Sequence, residues 1–264
     1  MPYRLAALIV ALIVIVAAIF FFARKGGAGA GGMATSTTGS TSTAVTIPTP
    51  NNPVVKGSGY TVELLDDKNL PLAPNYKTSI VYSKDIAPEV RTQLDKNLAT
   101  LVGRIDKDKY DLRSWIDLGT LHKMGGDYKA AATIWTYVTK LAPKNGIAFN
   151  NLADLYQNFL KEYPKAEANW LVAIKIDSSD TNPYRALFDL YNDLEKKPAA
   201  AEAILKQGIK ANPNAVDLYV ILARFYKAAG RAADAQAEYK QAIQVAQTAG
   251  QAAMTKEIQT EAGL

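Results

Sequence analysis

Trp115, Phe149, Tyr184 and Tyr219 follow one another at intervals of 34 or 35 residues, and each opens the same pattern of side chains. Three residues after each ring stands an apolar residue (Leu118, Leu152, Leu187, Leu222), and four further on a second ring (His122, Tyr156, Tyr191, Tyr226). Nine or ten residues later comes an alanine: Ala131, Ala166, Ala201, Ala235. A period of about 34 residues carrying two helices is the signature of a helical repeat array, in which no unit buries its apolar faces alone. The period restricts the chain to an all-α solenoid and points to binding, not catalysis.

The first unit shows how one repeat is built. Trp115, Leu118, Gly119 and His122 recur at helical spacing and give a first helix one apolar face. Gly125-Gly126 breaks that helix, and Asp127 caps the next. Ala131, Ile134, Trp135, Val138 and Leu141 form the stripe of a second helix that Pro143 ends. Small residues at Gly119 and Ala131 allow close helix approach. The second and third units carry one extra residue, which the spacing places in the turn between their helices. Ala87 to Lys107, with Val90, Leu94, Leu98, Leu101 and Ile105 on one face and Pro88 at its start, predicts a helix capping the first unit. Met254, Ile258 and Ala262 mark a thin-striped helix capping the last.

The repeat resembles the tetratricopeptide repeat family. Its pattern of Trp, Leu, Gly, Tyr, Ala, Phe, Ala and Pro corresponds to Trp115, Leu118, Gly119, His122, Ala131, Trp135, Val138 and Pro143. The fourth unit follows it with Tyr219, Leu222, Ala223, Tyr226, Ala235, Tyr239 and Ala242. The third departs: Phe188 stands where a small residue is expected, arguing against close helix packing there, and Ser178 replaces the terminal proline of the second. The resemblance implies a right-handed superhelical solenoid of about four helix-turn-helix units with flanking capping helices, over 86–264.

It also implies a concave groove lined by the first helices, where a protein or peptide docks. The groove positions would be Arg113, Ile116, Thr120, Lys123 and Met124 in the first unit, and Ile147, Asn150, Asp154, Gln157 and Asn158 in the second. In the third they would be Asn182, Arg185, Asp189, Asn192 and Asp193; in the fourth, Asp217, Val220, Arg224, Lys227 and Ala228. This lining is polar, with Asn in the middle and cations toward both ends. Chaperone-binding members use a Lys/Asn/Arg clamp for a terminal carboxylate. Ile116 and Thr120 stand where its first Lys and Asn would be, so that partner is not implied.

Ahead of the repeats, Leu5 to Ala23 is apolar throughout and, at a helical rise, roughly 28 Å long, enough to cross a bilayer core. Residues 1–25 therefore read as an N-terminal transmembrane signal anchor. A cleaved secretory signal, with Ala28-Gly29-Ala30 as the small-residue site, is the competing reading; the length of the run and Arg24-Lys25 directly after it favour the anchor. Cations flank both ends, so the positive-inside bias nearly cancels. The short amino terminus and long polar remainder resemble bacterial signal anchors, placing the protein in the cell membrane as a single-pass chain with its repeats outside the cytoplasm. Residues 26–59, rich in Gly, Ser, Thr and Pro, read as a disordered linker with a root-mean-square span of roughly 30 Å. Residues 60–85 read as an extended, irregular arm.

Charge narrows the partners. The chain carries +5, but four of its 30 basic residues (Arg4, Arg24, Lys25, Lys56) and none of its 25 acidic ones precede Tyr60. That leaves 26 against 25 from Tyr60 onward, with no basic face to hold nucleic acid. His122 is the single histidine and occupies a ring position, so it reads as packing. With no cysteine and no second histidine, neither a zinc site nor a nucleophile–base pair can be assembled from the usual residues. Asp106-Lys-Asp108-Lys-Tyr-Asp111 lacks the glycine and glutamate of a calcium loop. No cofactor, metal or enzymatic activity is expected. The expected function is a membrane-tethered protein-interaction scaffold in envelope assembly or a chaperone-like role. A self-associating structural oligomer is the alternative, and glycan binding ranks last.

Overall fold

The structure, a computed structural model, describes the backbone of 54–57 and 60–63 and all of 71–264. The apolar run at 5–23 and most of the stretch 26–59 lie outside the described residues. Among the described residues no helix is long and apolar enough to cross a membrane. Two short strands, β1 (Val54–Gly57) and β2 (Tyr60–Glu63), pair antiparallel with Val55 opposite Val62. Four of the paired residues fall inside 26–59, where composition by itself indicates no element.

From Pro88 onward the chain is a run of helices. Helix α1 (Pro88–Lys107) precedes four pairs: α2 (Leu112–Met124) with α3 (Tyr128–Leu141), α4 (Gly146–Asp154) with α5 (Tyr163–Ile176), α6 (Asn182–Asp189) with α7 (Pro198–Ala211), and α8 (Val216–Ala228) with α9 (Ala232–Thr248). Helix α10 (Ala252–Ala262) follows. Asp127 caps its helix as expected, and Asp111 and Asn145 do the same: the three accept from the N–H groups of Ala130, Ser114 and Ala148, satisfying otherwise orphaned donors.

The packing follows the period. Ala131, Ala166 and Ala201 are fully buried and Ala235 nearly so, leaving room for the rings above them. At Gly119 an added Cβ would lie 2.3 Å from Trp135 Nε1, and that indole donates to the Ile116 carbonyl at 3.1 Å. The third unit makes its close approach from the second helix instead: a Cβ on Gly208 would lie 2.9 Å from the Tyr184 ring. Phe188, at the position where a small residue is expected, is buried edge-on against Phe225 of the next unit at 5.8 Å. The close packing that Phe188 argues against is thus achieved at another residue.

The extra residue of the second and third units is not in the turn. It is absorbed inside the first helix, where α4 continues as a π-helical turn over Leu155–Leu160 and α6 over Leu190–Leu194. An i→i+5 turn takes one more residue than an α turn, so both helix pairs keep their alignment. The exit differs too. Units one and four leave their first helix through Gly126 and Gly230 at positive φ, whereas units two and three use Lys161 (φ 58°) and Lys196 (φ 55°).

Both ends of the stack are covered. Leu94 and Ile105 of α1 are buried against the first unit. Residues 71–86, without regular structure, cross the Gly125-Gly126 turn: Ser83 N–H donates to the Gly125 carbonyl at 2.8 Å, and Ile80 is buried so close that a Cβ on Gly125 would lie 2.4 Å from its Cγ2. His122 is buried with Nδ1 3.1 Å from Asp127 Oδ2, and the same oxygen accepts from Val81 N–H. At the other end Ile258 and Ala262 are buried, but Met254 faces solvent and Thr255 takes the inner position. Tyrosine–glutamate hydrogen bonds lock neighbouring units: Tyr191 to Glu167 at 2.7 Å, Tyr226 to Glu202 at 2.8 Å, and Tyr239 to Glu261 of α10 at 2.7 Å.

Two predictions follow from these joints. Left-handed backbone at a side-chain-bearing residue costs on the order of 1 kcal/mol, so Lys161→Gly and Lys196→Gly should each stabilise the fold by about 0.5–1 kcal/mol after glycine's entropic cost. Urea unfolding checks this; a loss of stability at both sites would contradict it. The second concerns acid. Bonds from Lys206, Tyr226 and Arg231 hold Glu202 down to about 2, and Arg224 and Tyr239 do the same for Glu261. Because these values lie below the unfolded one near 4.5, the stabilisation is present above that pH and lost as pH falls from there toward 2. Each site should contribute on the order of 1 kcal/mol after solvent screening. Glu202→Gln with Glu261→Gln should flatten the acid limb of a stability–pH curve.

Candidate protein-binding groove

Helical spacing places Asn150, Asp154 and Asn158 on one face of α4 and its π turn, and Arg185, Asp189 and Asn192 on the matching face of α6. Arg224 lies on that of α8. The structure brings these seven sequence-predicted residues together as the lining of one groove of roughly 1250 Å³. Gln157, Asn182, Asp193 and Ala228, at the other predicted positions, line it as well. The π turns contribute Gln157, Asn158, Asn192, Asp193 and Leu194, so the inserted residue in each of two units alters the wall of the groove.

Other predicted positions lie elsewhere. Arg113, Ile116, Thr120 and Lys123 are outside this groove: Arg113 faces solvent 3.8 Å from Asp117, Ile116 is half-buried in the first unit's core, and Thr120 donates to the Ile116 carbonyl. Lys123 is bound to Asp154 and lies over the Phe159 ring at 4.6 Å. Val220, expected on the surface, is buried in the C-terminal core, because the end of the array is closed by further packing. Lys227 donates to the Glu261 carbonyl at 3.2 Å.

The apolar part of the lining was not predicted. Trp170, Phe188, Ile221, Phe225 and Leu194 supply it, with Ala186 and Ala229. The misfit at Phe188 was its one sequence signal. Gln157 ties the floor together: it is buried, accepts from Trp170 Nε1 at 2.8 Å, and donates to the Ala186 carbonyl of the next unit at 3.3 Å. Asn150 donates to Asp180 at 3.0 Å, while its Oδ1 is buried without a partner.

The cations of the groove are already engaged. Arg185 pairs with Asp217 at 3.1 Å, and Arg224 forms two bonds of 2.7 Å to the Glu261 carboxylate, which hold the guanidinium above its usual value. Desolvation raises the Asp189 carboxyl, with Asp193 reinforcing and Arg185 opposing. Chemically the groove offers carboxamides that donate and accept, the aromatic side chains of Trp170, Phe188 and Phe225, and carboxylates. Among the described residues no group of three or more acidic or histidine side chains could hold a metal ion.

No curated protein matches the chain. Among solved structures, one described as the crystal structure of MamA is 17% identical over 64% of this chain and 99% of that one, with a TM-score of 0.49. YrrB, described as a TPR protein with an unusual peptide-binding site, is 14% identical over 61% of this chain and 90% of its own, with a TM-score of 0.44. PilF of Pseudomonas aeruginosa is 14% identical over 65% and 83%, with a TM-score of 0.48. At these levels none of them indicates a partner for this chain. The family model of the tetratricopeptide repeat matches residues 194–257, from the end of the third unit's first helix into α10. The same ring, apolar and alanine positions recur back to Trp115 in successive helix pairs, so the helix pairs ahead of the matched segment are similar to the tetratricopeptide repeat that the family model finds there.

Proposed function

We propose that this protein is a membrane-tethered interaction scaffold that binds a partner protein or peptide in the groove of its second to fourth units. The observation that carries the reading is the groove itself: an opening of roughly 1250 Å³, walled by carboxamides and floored by aromatic rings, on rigid helices. Extended segments suit such a surface, since amide side chains match backbone donors and acceptors while rings take alternate side chains. Nothing in the lining pairs a nucleophile with a base, which weighs against catalysis.

Tethering rests on the apolar run at Leu5–Ala23, and the flexible composition of 26–59 would hold the repeats near a bilayer without fixing their orientation. In this reading the repeats lie outside the cytoplasm of a bacterial cell and serve envelope assembly or a chaperone-like role. A reporter active only after export, fused behind Leu264, should be active; activity confined to a cytoplasmic reporter would reverse the topology.

A photo-crosslinking residue at Asn158 or Asn192 in living cells should trap a discrete protein, while one at Lys175, exposed on the second helix of its unit, should not. Equal capture at both places, or none from folded protein, would count against the groove. Capture of the chain by a second copy of itself would favour the alternative, a self-associating envelope oligomer.

A further inference from the structure

The charges of the groove do not cancel. Its lining holds three carboxylates, Asp154, Asp189 and Asp193, and two guanidiniums, Arg185 and Arg224. Each guanidinium is satisfied from outside the lining, by Asp217 and by Glu261. Asp154 is bound by Lys123. That leaves Asp189 and Asp193, four residues apart and hence on one face of the third unit's first helix. Asp189 makes no hydrogen bond or ion pair with any described residue, and Asp193 accepts from Asn192 Nδ2 at 2.7 Å. Both residues are solvent-accessible; desolvation and the like charge of Asp193 raise the Asp189 carboxyl against the opposing charge of Arg185, and an occupant that brings positive charge relieves that repulsion.

The surroundings select the form of that cation. Phe188 and Phe225, in edge contact at 5.8 Å, line the same groove beside Ile221. An aliphatic stem packs on such a surface while its charged end stays at the carboxylates. Asn150, Asn158, Asn182 and Asn192 line the same groove and offer amides to a backbone laid along it.

We propose that the groove selects an extended segment of a partner protein carrying a lysine or arginine, with the cation at Asp189 and Asp193 and its stem on Phe188 and Phe225. This rests on the groove being a protein-binding site. It also explains why the basic residues of the groove do not make it a receptor for a carboxylate: their charge is spent within the fold.

Panning a library of random linear dodecapeptides against the full-length chain tests it. Enriched peptides should carry lysine or arginine next to an apolar residue and should bind more weakly as salt is raised. Asp189→Asn with Asp193→Asn should weaken them by about tenfold or more, as expected for losing close charge pairs. Asp85→Asn with Glu89→Gln, which removes the same charge near α1, should leave binding unchanged. Circular dichroism checks the fold of each variant, and Asp189→Lys should turn the selection toward acidic peptides. Enriched peptides that are neutral or acidic, yet lose binding in Asn158→Ala with Asn192→Ala, would overturn this inference and leave the groove reading standing. Peptides insensitive to both groove variants, or an empty screen, would overturn both.

Discussion

Every feature of this protein depends on a ring settling onto a residue small enough to admit it. No helix pair here buries its apolar faces alone: a ring closes on a small residue within a pair, and the pairs then stack on their neighbours, as nearest-neighbour packing in a solenoid requires. Trp135 lies on Gly119 and Tyr184 against Gly208, at distances where a single added carbon would collide. The small residue need not keep its place in the pattern. In the third unit it has moved to the second helix, which frees Phe188 to reach toward the fourth.

The two middle units carry one residue more than the outer two, and the fold accommodates it without shifting the repeat. A π turn at the end of the first helix takes up the residue, and a lysine in left-handed conformation makes the exit in place of glycine. That local cost sits beside the groove. The π turns present Gln157, Asn158, Asn192 and Asp193 to it, in keeping with the frequency of such turns at functional sites.

Electrostatics divides the molecule into satisfied joints and an unsatisfied groove. Glu167, Glu202 and Glu261 accept from tyrosines across interfaces, and Arg224 and Arg185 are taken up by carboxylates of neighbouring elements. These bonds keep the units in register and, at the same time, remove the cations from the groove's balance. What is left exposed to an incoming partner is acidic, amide-rich and aromatic.

The number of units, their helices, the cap at Asp127 and the covering role of α1 were legible in the residues, because periodicity, capping and burial of an apolar stripe are local properties of a chain. Eleven of the residues expected in the groove also line it, since helical spacing sets direction. Which of them carry free charge was not legible. Arg224 reads as an available cation until α10 folds back and places Glu261 against it, 37 residues away. The same holds for Arg185 and Asp217, for the buried Val220, and for Phe188, whose role appears only when the fourth unit brings Phe225 beside it. The amino-acid order determined the scaffold by itself; the tertiary structure decided the character of the groove, because charge neutralisation and desolvation depend on neighbours that the chain supplies from far along its length.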